Sequence, residues 1–291
     1  MTPTTDAAPH PARTLWQHLE TLHGVVYFAP DVTDALKALG LKGFWMSYFA
    51  GRAAPLGAVG PGPVEATFYN FDPRMVRRAV PDAWRFAEPA AVLATRAEAA
   101  AALLRATIPD VEEQAGRIVP LLSSAVRSGR PDGRALFAAN QQLPLPDDPV
   151  AALWQCATSL REHRGDGHVA LLVAHDLPGI DAHQLVVGAG VIDDERLRSV
   201  RGWSEEDWAL AKERVTARGL LDDAGRLTDA GAELRSEIER RTDELSFQPY
   251  LDGLTEPGLD LLPSLLRPLS RAIAGADIIP FPNPIGFSAP T

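Results

Sequence analysis

Apolar positions recur every three or four residues along most of this chain, and Pro and Gly punctuate them. Before residue 146 no run alternates strictly enough to predict a strand. Leu15, Trp16, Leu19 and Leu22 predict a helix over Arg13–Leu22, broken by Gly24 and Pro30, after a loose tail over Met1–Ala12. Thr33–Leu39 is a short helix closed by Gly40. Gly43–Phe49, rich in aromatic residues, is a helix buried on most faces and ends at Gly51-Arg52. Asp72-Pro73 pairs an N-cap with a first-turn proline. Glu88-Pro89 and Pro109-Asp110 open longer helices to about Thr107 and Ser128, and Ala135–Leu143 makes a shorter one.

The second half repeats the style with one difference. Asp147-Asp148-Pro149 starts a helix that carries Leu153, Trp154, Cys156 and Leu160 inward. Gly165 is expected to end it, with Asp166 capping a new helix over Gly167–His175 and Asp181 capping Ala182–Gly188. Ser204 with Asp207 starts a helix to Arg218 in the manner of a capping box. Leu220–Leu227 turns around Asp-Ala-Gly as a small hairpin, and Thr228 caps Asp229–Leu245. A helix over Asp252–Ala274, interrupted near Pro263 and Pro268, precedes an extended Pro-rich tail over Ile278–Thr291. The predicted fold class is all-α with a small β-hairpin wing. A helical N-terminal lobe covers 1–146 and a winged-helix-like lobe 147–250. The C-terminal helix and tail, 251–291, pack on the body.

Charge narrows the function classes. The chain carries a formal net charge of −10, which repels phosphate backbones unless a basic face overrides it. Over Ser199–Gln248 there are eight basic against twelve acidic side chains, and the third helix of the expected winged helix opens on Glu205-Glu206-Asp207. That acidic start disfavours DNA as a partner. One cysteine, Cys156, excludes an internal disulfide. No apolar run is long enough to span a membrane and no signal peptide opens the chain, so a cytoplasmic location is expected.

Arg218-Gly219-Leu220-Leu221, Gly225, Leu227-Thr228, Gly231 and Leu234 resemble the MarR-like group of winged-helix proteins. His23–Pro30, Gly43–Met46, Gly51–Gly57, Arg161–His168 and Ile279–Pro284 together resemble an uncharacterised actinobacterial helix-turn-helix family. The resemblance implies a helical lobe joined to a winged helix. It implies no particular activity, because fold does not fix function.

The candidate ligand-binding residues are His23, Tyr27, Tyr48, Arg52, Arg161, His163, Arg164, Asp166 and His168. His163 and His168 flank a Gly-Asp-Gly segment; a chain reversal there would aim both imidazoles at one point, with Asp166 fixing a tautomer. Arg52, Arg161 and Arg164 offer forked donors for a carboxylate or phosphate. The same residues with Glu162 also read as a salt-bridged hinge between lobes. No metal site is assigned, since the histidines lack a recognised ligand spacing, and no cofactor is identified. The expected function is small-molecule binding on a winged-helix fold with DNA binding weak or lost. A ligand-responsive MarR-like transcriptional regulator and an enzyme using a His/Arg/Asp pocket stay open. The expected partner is a small-molecule ligand, and a homodimer is compatible with the chain. If the pocket forms, His23, Arg164 and His168 share one cavity.

Overall fold

The computed structural model describes residues 9–290. Of the tail expected over Met1–Ala12, residues 1–8 lie outside the described residues, and Pro11 already opens a helix. The helices are α1 Pro11–Phe28, α2 Pro30–Ala38, α3 Gly43–Ala53, α4 Pro61–Thr67 and α5 Pro73–Arg77. Then come α6 Ala83–Phe86, α7 Pro89–Thr107, α8 Val111–Ser128, α9 Ala135–Gln141 and α10 Pro149–Ala174. The chain continues with α11 Gly179–Gly188, α12 Asp194–Arg201, α13 Glu205–Ala217, α14 Asp229–Gly253 and α15 Glu256–Gly275. A 3-10 turn, Ala54–Leu56, follows α3.

Local capping chemistry places several of these starts. The carboxylates of Asp72 and Asp148 accept from the backbone N–H groups of Arg74 and Val150, and the hydroxyls of Ser204 and Thr228 accept from Asp207 and Gly231. Each satisfies a donor that the helix itself leaves unpaired.

Four glycine and proline breaks expected from the sequence do not occur. α1 runs through Gly24, α10 runs through Gly165, and α15 runs through Pro263 and Pro268. A mid-helix glycine costs roughly 1 kcal/mol, and tertiary contacts exceed that easily. In α15 the residues Leu262, Leu265, Leu266, Leu269 and Ile273 are buried on one face. Each such side chain stabilises by about 1.5–3 kcal/mol, which offsets the loss at the prolines. Asp181 likewise does not cap a helix: α11 begins at Gly179, and Asp181 sits in its first turn, paired with Arg214 at 2.5 Å.

The hairpin wing is reduced to a single antiparallel bridge, Leu221↔Leu227. Asp222 N–H donates to the Arg226 carbonyl at 2.8 Å, and the Asp222 carboxylate accepts from Ala224 and Arg226 at 2.9 Å. Gly219 ends the preceding helix and Thr228 caps the next, so no residues are left to extend a ladder.

α10 is the axis. It packs against α1, α7, α8, α9 and α14. Its N-terminal half joins the largest core through Leu153, Trp154, Cys156 and Leu160. A second core gathers Trp45, Tyr48 and Phe49 of α3 with Phe68 and Phe71. Leu172, near the end of α10, belongs to a third with Leu185, Val215 and Leu221. The C-terminal tail lies back over α1: Ile279 and Phe287 are buried, and Phe287 meets Trp16 edge-on at 6.3 Å.

Because Gly165 sits mid-helix with room for a methyl group, its nearest contacts being Arg161 Nη1 and Glu162 Oε2 at 3.6 Å, Gly165→Ala is expected to stabilise. The gain is about 0.5–1 kcal/mol, read as a rise in the urea midpoint. A fall in that midpoint would place the helix break where the sequence suggests it.

Candidate functional site

The polar cluster of Leu160–His168 is not a loop. It occupies the middle of α10, with Glu162, His163, Arg164 and Asp166 all buried. Five residues of helix separate His163 from His168, which turns the two side chains about 140° apart. They therefore cannot aim at one point. His163 packs edge-on against Phe137 at 4.7 Å on the α9 side, and neither ring nitrogen makes a hydrogen bond among the described residues. His168 faces the other way and lines a cavity of about 490 Å³.

That cavity lies where several helices and the C-terminal tail meet. Arg13, Trp16 and Glu20 come from α1, and Arg161, Arg164 and His168 from α10. Phe68–Phe71 follow α4, Leu197 and Arg201 belong to α12, and Glu239 comes from α14. The tail residues Asn283 and Pro284 close part of the wall. Tyr27, Tyr48, Arg52 and Asp166 complete the candidate residues that line it. His23 is set one side chain back. It lines a neighbouring space of about 30 Å³, room for a single water, that shares Tyr27, Tyr48, Arg52 and Glu162 with the large one. So Arg164 and His168 share the cavity, and His23 reaches it only through Tyr27.

Two ion-pair networks hold the walls. Glu162 receives Arg52 on both oxygens at 3.1 Å and Arg161 at 2.8 Å. Arg161 also reaches Glu20 at 3.4 Å, and Glu20 accepts from the Trp16 indole at 3.1 Å. Burial works to raise the Glu162 pKa, but Arg161 and Arg52 outweigh it and hold the carboxyl at about 2. Across the cavity Arg164 meets Asp243 at 2.7 Å and lies 4.6 Å over the Trp16 ring, while Arg13 meets Glu239 at 2.7 Å. Asp166 is different. Its carboxylate accepts the Phe137 N–H at 2.9 Å, and burial, with Glu162 adding to it, pushes its pKa up to about 6.

The histidines follow one rule. Thr158 donates its hydroxyl proton to the Trp154 carbonyl, so its oxygen accepts from His23 Nδ1–H at 2.9 Å. His23 Nε2 then accepts from the Tyr27 hydroxyl at 2.7 Å. Thr242 and Ser270 serve His168 and His18 in the same way, each spending its proton on a backbone carbonyl. Burial is the leading cause that lowers the pKa of all three imidazoles and keeps them neutral. Among the described residues, no group of three His, Cys, Asp or Glu side chains is arranged to hold a metal ion. The Cys156 thiol is buried in the core and pushed up to about 12, so it is inert.

Arg201 is a cavity-lining arginine absent from the residues expected from the sequence. It ends α12, a helix not foreseen because Leu197 and Val200 are its only apolar residues. A signal was present: Asp193 accepts from the Arg196 N–H as N-cap, an acidic first turn follows, and Gly202 ends the helix at φ +77°.

α12 and α13 are joined by the short turn Gly202–Ser204. The exposed start of α13 carries Glu205 and Glu206. Its arginines are engaged, Arg214 with Asp181, and Arg218 at the C-cap with the carbonyls of Asp176 and His175 at 2.6 and 3.1 Å, while Lys212 is exposed. Arg198 holds Glu205 at 3.1 Å, and Arg74 of α5 holds Asp207. Among the described residues, no helix is long and apolar enough to cross a membrane.

Residues 12–280 match the family model described as a helix-turn-helix family, and the chain belongs to that family. Neither the curated proteins nor the solved structures contain a match.

Proposed function

We propose that this helix-turn-helix family member binds a small organic molecule in the cavity between α1, α10 and α12, and that DNA binding through α13 is weak or lost. One observation carries the reading. A space of about 490 Å³ lies within the range of ligand pockets and is walled by Trp16, Tyr48, Phe68 and Phe71. Polar groups converge on it in fixed positions because the ion pairs that hold them are buried. In this reading residues 147–250 act as a MarR-like winged helix whose wing is a single bridge. The acidic start of α13 and the pairing of its Arg214 with Asp181 support weak DNA binding, since a reading helix presents free cations to phosphate.

The test uses N-phenyl naphthylamine, an uncharged aromatic fluorophore. It is expected to bind one molecule per chain. Val169→Trp, which adds bulk at a cavity-lining position of α10, is expected to weaken it by at least about tenfold. Equal binding by the two proteins would sink the reading.

A second reading, a ligand-responsive transcriptional regulator, is favoured by one specific observation. Leu197 and Arg201 of the helix-turn-helix line the same cavity, so an occupant touches the element that would meet DNA. A gel shift on the gene's own upstream DNA at low salt separates the two readings. Retention that collapses with added salt would favour the regulator.

A further inference from the structure

We infer that the occupant of this cavity carries an acidic group, a carboxylate or phosphate on an aromatic body, and that Arg201 is the residue that receives it. The inference rests on the ligand-binding reading above and names the chemical class of the ligand.

Charge balance is the first observation. In a chain of net charge −10 the cavity is lined by six arginines and four carboxylates. The carboxylates are already engaged. Glu162 and Glu20 hold Arg52 and Arg161, Glu239 and Asp243 hold Arg13 and Arg164, and Asp166 accepts a backbone N–H. Among the described residues this leaves two wall arginines, Arg201 and Arg235, without a carboxylate partner.

Arg201 is the second observation. Among the described residues it has no carboxylate partner: the groups that act on its charge are Tyr48, Arg52 and Arg161. Its guanidinium lies 4.5 Å over the Phe71 ring, and Nη2 donates to the Pro284 carbonyl at 2.8 Å. These contacts fix the plane of the fork. Nε–H is buried and meets no acceptor. A buried, unsatisfied donor on a charged fork costs free energy until an acceptor arrives. The Tyr48 hydroxyl accepts from Arg52 Nη1 at 3.3 Å, which leaves its own proton free to donate beside Arg201. An oxyanion placed there would accept from Arg201 and Tyr48 together, with Arg52 and Arg161 behind them. Burial, the neighbouring Arg52 and Arg161 hold the Arg201 pKa below its ordinary value, and an anion would relieve all three. Arg235, also on the wall, has no buried nitrogen left without a partner, so it makes no such demand.

The rings set the rest of the molecule. Phe71, Tyr48 and Tyr27 form a continuous aromatic wall, with Tyr48 at 5.5 Å from Phe71 and 5.0 Å from Tyr27. A planar body stacks there while its acidic group reaches Arg201.

The experiment compares anilinonaphthalene sulfonate with N-phenyl naphthylamine, the same rings without the anion. The wild-type chain is expected to bind the sulfonate at least about tenfold more tightly. Arg201→Gln is expected to erase that preference while the neutral probe still binds. Arg196→Gln removes an exposed charge from the same helix and is expected to keep it. Equal affinity for the two probes in the wild-type chain overturns the inference even if Arg201→Gln folds poorly. So does an intact preference in a folded Arg201→Gln. If Val169→Trp still weakens both probes, the cavity reading survives and only the acidic group is wrong. If Val169→Trp changes neither, both fall.

Discussion

Glu162→Gln is expected to lose about 3–5 kcal/mol of folding stability, the largest effect of any single substitution on the cavity wall. Glu162 is 2 % exposed and is the carboxylate shared by Arg52 and Arg161. Removing its charge leaves two buried guanidinium groups beside each other, with Glu20 at 3.4 Å from Arg161 as the remaining acid. Urea unfolding at neutral pH measures the loss. A change below about 1 kcal/mol would mean that the network is solvated. Replacing Glu162 by Leu and Arg52 by Met together is expected to cost less than Glu162→Gln alone, because the double variant leaves one fewer unpaired charge. The pH dependence has a definite sign. The folded pKa of Glu162 lies below its ordinary value of 4.5, so the stabilisation is complete above that value. It is lost as pH falls toward about 2.

Acid sensitivity between pH 6 and pH 5 is the second large effect, and the buried histidines cause it. Burial is the main cause that lowers His163 and His183 to about 3 and His18 to about 4. The unfolded chain takes up these protons near the ordinary value of 6.5, and the folded chain does not. Stability is therefore full above that value and falls as pH drops through the window toward 3–4. Asp166 works the other way. Its raised pKa of about 6 costs stability as pH rises from its ordinary 3.8. These three histidines alone against one carboxyl leave a net loss of about 3 kcal/mol from pH 6 to pH 5, and the lowered His23 and His168 add to it with the same sign. Unfolding midpoints across that range check it, and a flat profile would contradict it. His163→Leu should flatten the slope by about one proton's worth and add stability at neutral pH, since it removes a buried ring with two unsatisfied nitrogens.

The helix starts were legible in the sequence because capping is a local event. Asp72, Asp148, Ser204 and Thr228 each need only their own side chain and the next turn. The breaks at Gly24, Gly165, Pro263 and Pro268 were misread for the opposite reason. What carries a helix through them is burial against α1, α10, α14 or α15, which no local window contains. The cavity-lining residues Tyr27, Tyr48, Arg52, Arg161, Arg164, Asp166 and His168 stood out as an unusual concentration of polar and aromatic groups. Taking Gly165 as a helix end paired His163 with His168. A continuous helix puts them on opposite sides. Missing α12, whose surface is almost wholly charged, hid Arg201 and with it a wall arginine that has no acidic partner and a buried Nε–H that meets no acceptor.

A crystal structure of the chain with anilinonaphthalene sulfonate tests the central claim most directly. The probe's rings are expected in the cavity between α1, α10 and α12, against Tyr48 and Phe71, with the sulfonate at Arg201. A probe bound on the outer surface, with this cavity holding only water, would contradict the account.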